Sequence, residues 1–199
     1  METKNKVGKL KFILDLDESI ISAEATEEYD FEKHKNKASK FRFEPMEGYY
    51  IIFERPHLQE FLDFIFENYD VSIWTAATKD YALFIIDKII LTKPNRKLDY
   101  IFFSYHCNIS KKIKKSSKDL SMLWDIYKIV GYNKNNTIIL DDYDEVYISQ
   151  KDNCIIAKQF KFINDNSEKD DFLKKLKRKL KRYLKDGTDV QLTVKKINK

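Results

Sequence analysis

Glycine, proline and cysteine are all scarce in this chain of 199 residues, which has four Gly, three Pro and two Cys. So little Gly and Pro excludes a collagen-like or low-complexity chain. The two cysteines, Cys107 and Cys154, lie far apart and show no CxxC spacing, which argues against a disulfide framework and indicates a reducing compartment. His106 precedes Cys107, but neighbouring side chains on an extended chain point in opposite directions, so we do not expect a zinc site there.

Long apolar runs are also missing. No segment approaches the roughly 20 apolar residues that span a bilayer, and the opening residues METKNKVGKLKF lack the apolar stretch and cleavage site of a signal peptide. We therefore expect an intracellular protein, cytoplasmic or nuclear, with no transmembrane segment. The 37 Lys and Arg nearly balance the 32 Asp and Glu, so only a local cluster of charge can indicate an anionic partner.

The chain has ample material for a hydrophobic core. Hydrophobic residues make up 43% and aromatic residues 14%, which excludes disorder as the default state. At this length we predict one domain over residues 1–199, with a core at about 8–165 and a basic C-terminal helix at about 168–186.

The most informative stretch is Lys9 to Ile21, KLKFILDLDESII, where an apolar run stops abruptly at two aspartates. The run predicts a strand buried on both faces of a parallel sheet. Its period of two places Asp15 and Asp17 on one side of the strand's end. Two carboxylates that close together need a cation or a shared proton between them, and open α/β sheets bind ligands at this edge. The alternative is an acidic turn that leaves a strand.

Two further predicted strands end in polar side chains. Residues 71–74 run into Thr75, followed by small residues that let backbone amides approach a phosphate, although Thr75 is also a common turn or helix-capping residue. Residues 137–140 end in Asp141 and Asp142. Lys118 lies before a predicted helix between these two strands, in a lysine-rich stretch that on its own indicates a solvated surface.

The remaining segments predict supporting elements. We expect a polar, solvent-facing excursion at 22–40, a small hairpin at 41–53 with its turn at Gly48, and a helix that Pro56 opens in its first turn. Residues 98–104 and 153–157 predict two further strands, and residues 108–115, NISKKIKK, a basic loop.

Taken in order, DLDES, WTA, KDLS and ILDD resemble the motifs of the haloacid dehalogenase superfamily of aspartate-nucleophile phosphotransferases. Within it, ERPHLQEFLDFIFENYDVSIWTAATKDYA is similar to the RPxxxEFL and WTA segments of the small C-terminal-domain phosphatases, the NLI-interacting-factor-like family. The resemblance covers about residues 10–162. It implies an α/β, Rossmann-like haloacid dehalogenase fold, with a central parallel sheet flanked by helices and a small β insertion.

The resemblance also implies a role for each motif residue. Asp15 would be the nucleophile and Asp17 the general acid and base, while Thr75 would bind a phosphate oxygen and Lys118 would neutralise the aspartyl phosphate. Mg2+ would be held by Asp15, the backbone carbonyl of Asp17 and Asp142, with Asp141 in support. Mg2+ prefers hard oxygen ligands and retains waters, so few carboxylates suffice.

Three positions depart from the family pattern. Ser19 replaces the usual Thr and keeps its hydroxyl, and Asp142 stands where the small phosphatases often have Asn. Ser104 stands where the family commonly has an Arg that positions the substrate. We predict that the lysines of the basic loop 108–115 replace this Arg and attract an acidic phosphorylated polypeptide.

Two functions follow from the resemblance. One is a Mg2+-dependent phosphoprotein phosphatase, a hydrolase of Ser/Thr phosphate monoesters with an aspartyl-phosphate intermediate, for which the family suggests the RNA polymerase II C-terminal domain as substrate. The other is a non-catalytic binding or scaffold module on the same fold. The intact set of polar motif residues favours the enzyme.

The tail has the pattern of an amphipathic helix. Ser167 and Asp170 resemble a capping box, and leucines recur on one face while lysines and arginines occupy the others. A basic helix of this kind can contact nucleic acid or a membrane surface. We favour a terminal helix that docks its leucines and leaves a solvated cationic face. Residues 190–197 predict a last strand or a frayed end.

Overall fold

The computed structural model describes residues 9–28, 30–183 and 189–199. Eight strands form two sheets: β1 Lys11–Leu14, β2 Ile21–Ala25, β3 Phe43–Met46, β4 Tyr50–Glu54, β5 Asp70–Trp74, β6 Leu98–Phe102, β7 Thr137–Asp141 and β8 Cys154–Ile156. The central sheet is parallel, with the order β6-β5-β1-β7-β8. The strand that precedes the two aspartates is therefore the middle strand, as the sequence predicts.

Helices cover both faces of this sheet. They are α1 Phe31–Ala38, α2 Leu58–Asn68, α3 Lys79–Ile85, α4 Ser104–Lys114, α5 Asp144–Ser149, α6 Phe172–Tyr183 and α7 Val190–Ile197, with π-helical turns at Ile86–Ile90 and Met122–Ile126 and a 3-10 turn at Ser167–Lys169. On β1, Phe12 and Leu14 pack against α2, α3, α6 and α7, while Ile13 packs toward α4 and α5. This alternation buries the strand on both faces.

The second sheet is a small antiparallel one, with the order β2-β4-β3, inserted between β1 and α2. The predicted hairpin is present, and Gly48 takes a φ of +76° in its turn, a conformation that glycine adopts without strain. The predicted polar excursion at 22–40 is only partly right, because it contains strand β2 and helix α1. Main-chain bonds to β4 give β2 its regular structure.

Four predicted elements differ in the structure. Residues 108–115 lie on and just past helix α4 instead of in a loop, since Cys107 and Ser110 pack inward and hold this segment against the sheet. Residues 190–197 form helix α7 and not a strand, because Val190, Val194 and Ile197 share one helical face that is buried. Pro56 does not lie in the first turn of α2, contrary to the prediction from sequence. It precedes His57, the residue that caps this helix.

The fourth difference is at the start of the basic helix. Ser167 donates its hydroxyl to the Phe162 carbonyl, so it makes no capping box, and Asp170 instead accepts from the Phe172 amide. Helix α6 therefore begins at Phe172, and the predicted residues 184–186 lie outside the described ranges. Within those ranges, no helix combines the length and apolar character needed to cross a membrane.

Candidate active site

The carboxyl ends of three neighbouring strands bring the predicted site residues to one edge of the sheet. Asp15 directly follows β1, and its amide donates to the Leu140 carbonyl on β7 at 3.0 Å. Asp141 ends β7 and Thr75 follows β5. Because the strands are parallel and pair with β1 on either side, side chains that are 60 or more residues apart meet at this edge.

Lys118 binds two of the predicted aspartates. Its Nζ donates to Asp15 Oδ1 at 2.5 Å and to Asp141 Oδ2 at 2.8 Å, and only 4% of the residue is exposed. Burial alone would lower the pKa of this amine, but the two carboxylates outweigh it and hold the Lys118 pKa above its usual value. The lysine therefore carries a fixed positive charge beside Asp15.

The loop that carries Lys118 is anchored from helix α5. Gln150, just past that helix, donates to the Lys118 carbonyl at 2.7 Å and accepts from the Leu120 amide at 2.9 Å. Glu145 accepts from the Ser117 amide at 2.8 Å. These contacts fix the backbone on both sides of Lys118, so its long side chain needs little reordering to reach Asp15.

Ser19 connects Asp15 to Asp142. Its hydroxyl lies 3.0 Å from Asp15 Oδ2 and 3.1 Å from Asp142 Oδ1, and the residue is fully buried. A hydroxyl has one proton, so it donates to only one carboxylate at a time. From the sequence, Ser19 was only a departure from the family pattern, whereas the structure shows it between two acidic groups.

Three carboxylates form a group suited to a cation. Ligand atoms of Asp15, Asp141 and Asp142 all lie within 4.8 Å of one another. Burial, and then the charge of Asp15, raise the pKa of both Asp141 and Asp142. Three carboxylates against one lysine leave an excess of two negative charges, which a divalent ion would balance. The donor set consists of hard oxygens and therefore fits Mg2+. Both Asp141 oxygens already accept hydrogen bonds, from Lys118 and from the Tyr143 amide, which suits a supporting role.

Asp17 has a different partner from Asp15. Its Oδ1 accepts a 2.5 Å hydrogen bond from the hydroxyl of Tyr81, on helix α3. Burial raises the pKa of Asp17 to about 6, although the Tyr81 hydrogen bond lowers it. A carboxyl group with such a pKa can hold a proton and give it up near neutral pH. Sequence reasoning missed Tyr81. Its position in the first turn of the helix after Thr75 was the available signal.

Thr75 is fully buried at the end of β5. Its side-chain oxygen accepts from the Ala77 amide at 3.0 Å, and within the described ranges it donates no hydrogen bond. Its hydroxyl proton can therefore be directed to a phosphate oxygen. This geometry also forms a local turn, so the capping alternative and the predicted binding role are compatible.

A buried arginine links the site to the C-terminal helix. Arg55, whose side chain is 0% exposed, forms two parallel hydrogen bonds of 2.9 Å to Asp170 and donates to the Ser19 carbonyl at 2.8 Å. Its guanidinium also lies 4.4 Å from the centre of the Phe172 ring. Because Arg55 holds the backbone of Ser19, it fixes the turn whose Ser19 hydroxyl contacts Asp15 and Asp142. Sequence reasoning missed this contact.

We expect Asp170→Ala to lower the free energy of unfolding by about 3–5 kcal/mol, because it leaves a buried guanidinium without its carboxylate. Urea unfolding measures this change. Asp171→Ala is the matched control, since Asp171 is half-exposed and its ion pair among the described residues is with Lys175. That change should stay within about 1 kcal/mol. Equal losses in the two variants would show that Arg55 does not depend on Asp170.

The fold and the site define a class of protein. A central parallel strand that ends in paired aspartates, beside a buried lysine and a second acidic strand end, is the arrangement of a phosphatase of the haloacid dehalogenase type. The chain belongs to the NLI interacting factor-like phosphatase family, whose model matches residues 10–191. The predicted family is therefore confirmed.

Similar proteins occur in viruses and in vertebrates. The CTD phosphatase-like protein 355R of Invertebrate iridescent virus 6 is 48% identical, over 86% of this chain and 97% of its own length. The 355R protein of Invertebrate iridescent virus 3 is 41% identical, over 90% of this chain and 99% of its own. Ubiquitin-like domain-containing CTD phosphatase 1 of Xenopus tropicalis is 30% identical, over 64% of this chain and 41% of its own.

Among solved structures, Fcp1, an essential RNA polymerase II CTD phosphatase, superposes with a TM-score of 0.61. The superposition covers 94% of this chain and 70% of that one at 17% sequence identity. At this identity the likeness concerns the fold, and it confirms the predicted α/β architecture.

Proposed function

We propose that this phosphatase is Mg2+-dependent and hydrolyses phosphoserine and phosphothreonine in proteins through an aspartyl phosphate on Asp15. The observation that carries the proposal is the setting of Asp15, which lies between the cation of Lys118 and the hydroxyl of Ser19, with Asp142 across from it. A carboxylate attacks a dianionic phosphate only where that negative charge is screened. The names of the relatives support a phosphorylated C-terminal domain of RNA polymerase II as one substrate.

In the first step, a carboxylate oxygen of Asp15 attacks phosphorus while the bond from phosphorus to the serine or threonine oxygen breaks. Asp17 gives its proton to the departing oxygen, and its raised pKa suits it to hold that proton. Lys118 offsets the negative charge that collects around the phosphoryl group, and the Thr75 hydroxyl donates to one of its oxygens.

In the second step, Asp17 accepts a proton from a water molecule, whose oxygen attacks the phosphorus of the aspartyl phosphate. The bond between phosphorus and Asp15 breaks, phosphate leaves and both carboxyl groups return to their starting states. Asp15, Asp142 and the Asp17 carbonyl would hold Mg2+, with Asp141 in support. The bound ion would neutralise negative charge on the phosphoryl oxygens. Tyr81 keeps Asp17 in place for both proton transfers.

Mg2+ dependence tests this proposal directly. We expect hydrolysis of an aryl phosphate and of a phosphoserine peptide to stop with a chelator and to return with Mg2+. The metal should also raise the melting temperature, because a ligand that binds only the folded state stabilises it by roughly 2.7 kcal/mol at 100 times its Kd. Asp142→Asn should weaken both responses. If the chain hydrolyses neither compound at any Mg2+ concentration, the binding-module alternative replaces the enzyme.

Tyr81→Phe isolates the positioning of Asp17. Loss of a hydrogen bond to a charged group costs about 1.5–3 kcal/mol, so we expect kcat to fall about tenfold or more with little change in KM. Tyr50→Phe is the matched control, since the Tyr50 ring packs against Tyr81 at a centroid distance of 5.3 Å. The control should keep its kcat. Equal losses would show that removing either hydroxyl of this tyrosine pair impairs turnover, and that the effect is not specific to the hydrogen bond between Tyr81 and Asp17.

A further inference from the structure

The outer face of helix α6 carries a dense set of cations. Its exposed side chains include Lys174, Lys175, Arg178, Lys181 and Arg182. The leucines on the opposite face are buried in the core, so the helix cannot turn these cations inward. Within the described ranges, Lys175 alone among the five has a carboxylate within 4.0 Å, that of Asp171 at 2.9 Å. We call the other four residues, Lys174, Arg178, Lys181 and Arg182, the α6 surface.

The first turn of α6 lies beside the active site. Asp170 accepts from the Phe172 amide at the start of the helix and binds Arg55, which donates to the Ser19 carbonyl. Ser19 in turn contacts Asp15 through its hydroxyl. Four contacts thus lead from Asp15 to the first residue of the basic helix. The α6 surface runs along this helix from Lys174 to Arg182, a distance of about 12 Å.

A cleft of about 530 Å³ is lined by the first turn of α6, with Phe172 and Lys175, and by the segment 158–161. Gln159 lines it and also donates to Asp142 at 3.1 Å, so the cleft adjoins the proposed metal site. Four lysines line the same cleft: Lys158, Lys161, Lys169 and Lys175. Of its three acidic residues, Asp170 and Asp171 are already paired, with Arg55 and Lys175 respectively, and the third is Asp165. An anionic chain that follows this cleft out of the site therefore reaches Lys175 in the first turn of α6, next to Lys174 of the α6 surface.

A second cleft beside the site is acidic. Asp17 opens into a smaller cleft of about 250 Å³ that Glu18 and Glu24 also line. Lys161 lies at the boundary between the two clefts, 3.2 Å from Glu18. An acidic segment is thus repelled by one cleft and attracted by the other.

Helix α4 attracts an anionic substrate less strongly than its sequence predicts. Of the lysines predicted to replace the family arginine, Lys111 lies 3.8 Å from Glu145 and Lys114 lies 3.1 Å from Asp125. Their charges are partly offset within the chain. The described structure therefore favours α6 over α4 as the surface that an anionic substrate meets.

We infer that the α6 surface binds an acidic stretch of the phosphorylated polypeptide whose phosphate occupies the active site. The inference rests on the proposed function. The four cations of the α6 surface span about 12 Å of helix, which about four residues of extended chain, at about 3.3 Å each, can match. Attraction of this kind raises the rate of association by about 10- to 1,000-fold and weakens as salt screens it.

Binding to the Asp15→Asn chain tests the inference without turnover. The probes are fluorescent peptides that each contain one phosphoserine. Two of them carry a run of six aspartates, one before and one after the phosphoserine. A third, neutral peptide has glycine and serine in place of the aspartates. Replacing all four residues of the α6 surface by glutamine should raise the Kd of the better-bound acidic peptide about tenfold. This is the lower end of the expected electrostatic effect on association. The Kd of the neutral peptide should change less than twofold.

The matched control also removes four positive charges, mostly near the amino-terminal ends of the strands. Its four changes to glutamine are at exposed lysines without a carboxylate within 4.0 Å in the described ranges: Lys128, Lys134, Lys151 and Lys196. Three of these precede β7 or β8, away from the strand ends that form the site. Thermal melts check that both variants remain folded. An equal rise in Kd for the control would overturn the inference, since net charge would then explain the binding.

A nucleic acid is the main competing occupant. If a single-stranded RNA oligonucleotide displaces the acidic peptide and binds the α6 surface more tightly than the peptide does, the polypeptide assignment is wrong. Failure of the proposed function has a different signature. In that case the unmodified chain hydrolyses no phosphate ester, while peptide binding to the α6 surface still gives a result for or against the inference.

Discussion

Replacing Asp15 by asparagine should abolish turnover and leave the fold intact. An amide cannot form the acyl phosphate, and loss of a nucleophile lowers kcat by on the order of 10⁴-fold or more. Lys118 keeps its 2.8 Å hydrogen bond to Asp141 in this variant. The change also removes one of three crowded carboxylates, so we expect the melting temperature to stay the same or rise. Melting curves and aryl phosphate turnover, measured on the same sample with Mg2+, provide the test.

Asp144→Asn is the control for this change. Asp144 lies two residues after Asp142 but is exposed in the first turn of α5. This variant should keep both its turnover and its melting temperature. If Asp15→Asn retains the turnover of the unmodified chain, Asp15 is not the nucleophile. If it unfolds, Asp15 has a structural role that the remaining contacts of Lys118 do not replace.

Much of the site could be predicted because its residues stand at the ends of apolar runs. Asp15, Thr75 and Asp141 each follow or end a strand of the parallel sheet, and parallel strands share one carboxyl edge. Lys118 lies in a loop among other lysines, so only its resemblance to the family motif distinguished it. The structure places it between Asp15 and Asp141.

The contacts that sequence reasoning missed join elements that are distant in the chain. Tyr81 and Asp17 are 64 residues apart, and Arg55 and Asp170 are 115 apart. Neither pair has a spacing that any local period could reveal. Each depends on how a helix packs against the sheet, which is a property of the whole core.

The sequence pattern gave a wrong prediction where one segment fits both the period of a strand and the period of a helix. The residues VQLTVKKI, which form α7, contain four β-branched side chains and were predicted as a strand or a frayed end. A strand would place Val190 and Val194 on one face and Ile197 on the other, whereas a helix buries all three together. Contact with β7 and β8 decides in favour of the helix, because it covers an otherwise exposed apolar surface.

Lys118→Ala should impair both catalysis and folding. Loss of one preorganised electrostatic contact lowers turnover by about two to three orders of magnitude. Asp15 and Asp141, 5% and 0% exposed, would then remain without their cation. Removing one partner from a buried ion pair costs about 3–5 kcal/mol of unfolding free energy. Lys115→Ala, an exposed position three residues earlier, is the control and should change neither quantity.

A second substitution separates the two effects of Lys118. In Lys118→Ala combined with Asp141→Asn, one buried carboxylate becomes neutral, so part of the lost unfolding free energy should return. Turnover should not return, because the lysine charge beside the phosphoryl group is missing in both variants. Mg2+ should also stabilise Lys118→Ala more than the unmodified chain, since the excess negative charge is larger there. A fall in turnover below about threefold, small beside the expected effect, would assign the catalytic charge to another lysine.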